Sequence, residues 1–192
     1  MRYLSRSGAM AEHCCPWWMN YLIGSPLRRM MQPPKKLFGD FVKPGMTVLD
    51  AGCGMGVFTL ALAGMAGQEG LVVAVDLEEK NLAVLTRKAL RMGLEQRIET
   101  VSCDMGELPL DYNFDFVLAA NSVHEVPDIQ RFFRRVHGLM NPGGKLLLLE
   151  PSFHLSHEEF QRELELAGET GLDVVKHTEN RFERKALLTK KK

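Results

Sequence analysis

Residues 48–58 read Val48-Leu49-Asp50-Ala51-Gly52-Cys53-Gly54-Met55-Gly56-Val57-Phe58. A short apolar strand runs here into three glycines at alternate positions and then into an apolar stretch of helical character. Glycine lets a strand-to-helix turn adopt conformations closed to other residues, and it lets the backbone pass close to a ligand. The loop is not the dinucleotide fingerprint G-x-G-x-x-G, because its third glycine would fall at position 57, where valine stands. Asp50, two residues before Gly52, adds an electrostatic distinction. A carboxylate there repels a pyrophosphate and favours a ligand head carrying an ammonium and a sulfonium.

Outward from this loop, apolar strands alternate with helical periodicity. Met46 to Asp50 reads as the first strand and Val57 to Ala66 as the helix after the loop. Gly70 to Asp76 is the second strand. Glu78 to Met92 carries Leu82, Leu85, Ala89 and Met92 at helical spacing, with Gly93 as its stop. Ile98 to Cys103 and Phe114 to Ala120 are the third and fourth strands. Asp128 to Met140 reads as a helix ended by the turn Asn141-Pro142-Gly143-Gly144, and Lys145 to Glu150 is the fifth strand. Such alternation implies parallel strands joined by right-handed crossovers, and near-continuous apolar strands imply burial on both faces.

The C-terminal part changes character. Ser156 with Glu159 forms a capping-box pattern for a helix through about Ala167, and Gly171 breaks the chain. Leu172 to Thr178 and Phe182 to Thr189 read as a hairpin. The expected fold class is therefore α/β: a doubly wound, mostly parallel seven-stranded sheet of Rossmann-like type, with an antiparallel hairpin at its C-terminal end. Residues 45–192 form the expected core domain, and residues 1–44 an extension with a helix over Pro33 to Val42.

Lys plus Arg equals Asp plus Glu, for a net charge of zero. A neutral balance gives no long-range electrostatic attraction to nucleic acid or an anionic membrane, so a small-molecule substrate is the expected partner. No apolar run is long enough to span a bilayer, and Met1 to Ala11 lack the apolar core of a signal peptide. The four cysteines, Cys14, Cys15, Cys53 and Cys103, match no disulfide framework, which implies free thiols in the cytoplasm. Oligomeric state is left open, and no metal site is expected because no ligand spacing supports one.

Two further acids follow strands. Asp76 ends the second, where a carboxylate accepts hydrogen bonds from ribose hydroxyls. Asp104-Met105 follow the third, where an acid accepts from an exocyclic amine and a methionine packs on a ring face. The set of D-x-G-x-G-x-G after strand one, Asp76, Cys103-Asp104, FDFVLAANSVHEV and NPGGKLLLLEP resembles the class I S-adenosylmethionine-dependent methyltransferases. The resemblance covers roughly Lys35 to Pro151. It is to the broad group that includes the ubiquinone- and menaquinone-biosynthesis and arsenite methyltransferase-like enzymes, which spans many acceptors.

That resemblance implies S-adenosylmethionine (SAM) as cofactor and S-adenosylhomocysteine (SAH) as product. It implies that Gly52, Gly54 and Gly56 line the methionine part, oriented by Asp50. Asp76 and Leu77 would hold the ribose, Asp104 and Met105 the adenine, and Asn121 would lie beneath methionine and acceptor. A nucleotide-cofactor oxidoreductase and a non-catalytic SAM-binding protein are the alternatives.

On the acceptor side, His124 and His154 are the catalytic candidates, each weighed against a structural loop role. Trp17, Trp18 and Tyr21 could close the site and exclude water, or pack the extension onto the domain. His13, Cys14 and Cys15 are consecutive and poorly spaced for one tetrahedral ion.

Overall fold

The structure, a computed structural model, describes residues 33–191. Five helices are described: α1 Pro34–Phe38, α2 Thr59–Ala66, α3 Glu79–Met92, α4 Ile129–Leu139 and α5 His157–Glu169. The strands are β1 Thr47–Ala51, β2 Leu71–Asp76, β3 Ile98–Ser102, β4 Phe114–Ala120, β5 Met140–Pro151, β6 Leu172–Glu179 and β7 Glu183–Lys190.

The strands form one sheet in the order β3-β2-β1-β4-β5-β7-β6. The first five are parallel, and β7 lies antiparallel between β5 and β6. The expected doubly wound sheet and its C-terminal hairpin are both present. The order reverses at β1, whose neighbours are β2 and β4. A crevice opens outside the strand ends at such a switch point, and the glycine loop lies there.

Strand alternation sorts the core into two layers. Val48, Leu147 and Leu149 pack with Phe38, Leu62 and Leu85 beneath α1, α2 and α3. Leu49, Leu146 and Leu148 pack with Phe132, Val136, Phe160 and Leu164 beneath α4 and α5. The same period sends Asp50 toward α2 and Glu150 toward α5. Both acids are buried as a direct result of their register in apolar strands.

Several details differ from the sequence expectation, among them the helix expected from Val57, which begins at Thr59. The helix expected over Pro33 to Val42 contracts to Pro34–Phe38. The turn expected at Asn141 to Gly144 is drawn into β5, because Met140 already pairs with Phe114 and a register shift absorbs the glycines. Met92 is exposed rather than packed, being the last helical residue before the chain turns at Gly93 (φ 65°). The capping box at Ser156 and Glu159 is formed as expected.

Candidate cofactor and acceptor site

The three loop glycines all have positive φ: 74° at Gly52, 53° at Gly54 and 79° at Gly56. Two of them also answer to packing. A Cβ on Gly52 would overlap the Ser122 side chain and come within 3.1 Å of the Met105 sulfur. A Cβ on Gly56 would overlap Leu85 of α3. Gly54 differs, since its Cβ position meets no atom within 4 Å among the described residues. The loop therefore presses against β4, the β3 loop and α3 at its two ends and presents a bare backbone at its centre. Such a surface suits close approach by a ligand.

Asp76 joins this loop to the end of β2. Its Oδ2 accepts from the Gly54 N–H at 2.7 Å, and its Oδ1 from the Glu78 N–H at 2.9 Å and the Asn81 amide at 3.1 Å. Leu77 beside it is 60% exposed, a large apolar side chain standing at the mouth of the crevice. Asp104 accepts the Gly106 N–H through Oδ1 at 2.6 Å. Asp50 is buried and accepts from the Thr59 hydroxyl at 2.6 Å, which ties the end of β1 to the start of α2. Asn121 holds φ 56°, uncommon outside glycine, and its N–H donates to the Leu149 carbonyl at 2.7 Å. Ser122 then donates to the Ala51 carbonyl at 3.1 Å. Gly52, Gly54, Gly56, Asp76, Met105 and Asn121 thus converge on the ends of β1, β2 and β4.

Two residues past Ser122, His124 lies beside Glu150. The Glu150 side chain has no exposed surface; its Oε2 meets His124 Nδ1 at 2.5 Å and its Oε1 accepts the Val123 N–H at 3.0 Å. Burial of the imidazole disfavours its charge, but the hydrogen bond and negative charge of Glu150 outweigh that, and the His124 pKa is raised. The His154 ring stacks on His124 with centroids 5.9 Å apart and planes at 11°. The two histidines expected on the acceptor side are therefore adjacent.

Sequence reasoning missed Glu150 and Glu163. Glu163 is 1% exposed, and neither of its carboxylate oxygens has a hydrogen-bond partner among the described residues. Burial, with the charges of Glu150 and Glu159, pushes its pKa up to about 9. Both acids carried a legible signal: Glu150 ends an otherwise apolar strand, and Glu163 falls within the buried i, i+3, i+4, i+7 stripe of Phe160, Leu164 and Ala167.

Cys53 and Cys103 are free thiols. Burial, reinforced by Asp50 and Asp76, raises the Cys53 pKa well above the usual value, and burial with Asp104 raises that of Cys103. Neither is a reactive thiolate at neutral pH, and no group of three or more metal-ligating side chains forms among the described residues. His13, Cys14, Cys15, Trp17, Trp18 and Tyr21 lie outside the described residues.

The fold matches a SAM-dependent methyltransferase from Aquifex aeolicus with a TM-score of 0.82, covering 92% of this chain and 99% of that one at 23% identity. A methyltransferase from Pyrococcus furiosus aligns with a TM-score of 0.68 at 15% identity, over 91% and 98% of the two chains. The cyclase SpnF also shares the fold, at 16% identity, TM-score 0.70 and coverage of 85% and 81%. The fold alone therefore does not decide the reaction. In sequence, the demethylmenaquinone methyltransferase of Bacillus cytotoxicus is 38% identical over 112 residues, which are 58% of this chain and 47% of that protein. The chain thus spans about half the length of the curated relatives it matches. A family model described as a methyltransferase domain matches residues 42–191. That match takes in every strand of the sheet, the glycine loop and both histidines, and the chain belongs to the methyltransferase-domain family.

Proposed function

We propose that the chain transfers a methyl group from SAM to a small molecule. The observation that carries this reading is the bare Gly54 backbone clamped to Asp76, beside an exposed Leu77. It forms a cradle that a nucleoside linked to an amino-acid head would fill. SAM, when bound, supplies an electrophilic methyl: the acceptor's electron pair bonds to that carbon as the C–S bond breaks, and sulfur keeps the released pair.

The chain's own residues position and shield. Asp76 and Leu77 take the ribose, and Asp104 and Met105 the adenine. Gly52, Gly54, Gly56 and Asn121 lie along the methionine part, while Asp50 fixes the loop through Thr59. His124 takes a proton from an acceptor that must lose one, through Nε2, because Glu150 holds Nδ1–H. His154, stacked on that ring, restricts its orientation. A covering role for Trp17 to Tyr21, which lie outside the described residues, belongs to the same proposal. Two unpaired thiols agree with a cytoplasmic setting. Among the described residues, no helix is long and apolar enough to cross a membrane.

Calorimetric titration with SAM, SAH and NAD tests the cofactor. Binding of SAM and SAH without NAD is expected; NAD binding without SAM or SAH overturns the reading. Methyl transfer to a panel of small acceptors then separates an enzyme from a non-catalytic SAM-binding protein.

A further inference from the structure

The helix α5 and the turn carrying His124 line a partly open cavity of about 210 Å³. Ile129, Leu155 and Leu166 give it apolar walls, and His124, Glu159, Arg162 and Glu163 supply polar groups. The cavity is next to the crevice in the chain, since Ser122, two residues before His124, touches Gly52. Glu163 lies in the apolar stripe of α5 with both oxygens unpartnered, an arrangement that costs stability unless something else uses them. Nothing in the cofactor reading uses it.

The geometry points to this cavity as the acceptor pocket, with Glu163 as an uncharged binding residue that hydrogen-bonds an oxygen of a small, neutral, largely apolar acceptor. The inference rests on the methyltransferase reading and adds to it the class of acceptor. A neutral carboxyl offers one O–H donor and one carbonyl acceptor. Its own burial and the negative charges of Glu150 and Glu159 hold it in that form. Charges of both signs flank the cavity: Arg162 and Glu159 in its lining oppose one another, and the Glu150 carboxylate is taken up by its hydrogen bond to His124. Beside apolar walls and opposed charges, neither an anion nor a cation gains net attraction, and a neutral acceptor fits best. A hydroxyl on the acceptor satisfies Glu163. When that hydroxyl is the group methylated, its proton passes to Nε2 of His124 and on to solvent, and its electron pair stays on oxygen.

Three probes of one size and different charge decide the matter: phenol, benzoate and benzylammonium. Each is titrated into the full chain, with and without SAH, by calorimetry and by NMR of the His124 ring and the Leu155 and Leu166 methyls. Phenol is expected to bind most tightly and to shift those three residues. Glu163→Leu is expected to weaken phenol by about tenfold, the consequence of losing one buried hydrogen bond. Glu163→Gln, which keeps an uncharged donor, is expected to bind phenol close to wild type and to guard against a folding defect in the leucine variant. Unchanged phenol affinity in Glu163→Leu overturns the inference, as does preference for either charged probe or no phenol binding to the wild type. Failure of SAH to bind while phenol behaves as expected overturns the cofactor reading alone.

Discussion

Glu150 holds two adjacent groups at once: Oε1 takes the Val123 N–H at 3.0 Å and Oε2 takes His124 Nδ1 at 2.5 Å. Because the acid is fully buried at the end of β5, the tip of β4 is fixed to the neighbouring strand through a side chain as well as through the ladder. The imidazole is held in one tautomer with Nε2 clear of Glu150. A base that depends on a buried partner has a pKa that the partner sets.

His124 is expected to titrate above the ordinary histidine value, and Glu150→Gln to bring its midpoint down. Ring-proton NMR over pH 5–9 measures both (~ pH range spanning the usual histidine titration). The folded pKa exceeds the unfolded one, so the pair's stabilisation is complete below the unfolded value and fades as pH rises through the folded value. His124→Ala is expected to slow transfer to a hydroxyl acceptor by about 10²–10⁴-fold with SAH affinity retained. Undiminished transfer would leave His124 a structural residue.

Asp76→Ala is expected to weaken SAH by about 1–3 kcal/mol, since a buried polar partner is left unpaired and the Gly54 clamp is lost. Asp76→Asn keeps an acceptor for one of the loop N–H groups and is expected to fall between. Calorimetry checks affinity, and circular dichroism checks that the fold persists. Equal affinity in a folded Asp76→Ala protein removes Asp76 from the cofactor site.

Gly52 and Gly54 separate packing from binding. Gly52→Ala is expected to lower stability by about 2–4 kcal/mol, from the collision with Ser122 and the strained φ together. Gly54→Ala pays only the backbone strain, about 1 kcal/mol, yet puts a methyl on the bare face. Its larger effect is expected on SAH affinity. Urea unfolding and SAH titration of both variants read the contrast, and the reverse pattern contradicts the placement of the ligand at Gly54.

Glu163 makes stability fall as pH rises. Its carboxyl pKa goes from an ordinary 4.5 to about 9 on folding, so the folded protein keeps a proton that the unfolded chain releases between those values. Linkage puts the penalty at about 3 kcal/mol at pH 7. Glu163→Gln is expected to raise the urea midpoint at pH 7–8 and to flatten its decline above about pH 5. The facing charges, Glu150, Glu159, His124 and Arg162, remain in the variant. A wild-type midpoint that does not fall with pH over that range shows that Glu163 is ionised in the folded state.

Both tryptophans of the chain, Trp17 and Trp18, precede the described residues. A cover over the site becomes less mobile when the site fills. Saturating SAH is expected to shift their emission or reduce quenching by acrylamide. An unchanged signal, with SAH binding shown by calorimetry, removes the covering role.

The order of strands and helices, the glycine loop and the acids that close β2 and follow β3 were legible in the sequence because each depends on neighbours a few residues away. Glycine at 52, 54 and 56 declares a turn, and apolar runs such as Leu146 to Leu149 declare strands buried on both faces. The capping box at Ser156 and Glu159 is likewise local. Tertiary structure decided what each acid touches. Asp76 grips Gly54, 22 residues away, and Glu150 grips His124, 26 residues away. It also decided that Asn141 to Gly144 would join β5, because a free partner edge on β4 outweighed the local turn preference. Glu163 shows the difference most plainly. Its place in an apolar stripe was visible in the sequence, but its lack of partners depends on α5 packing against the end of β5, which buries Glu163 near Glu150 in a way that no local pattern encodes.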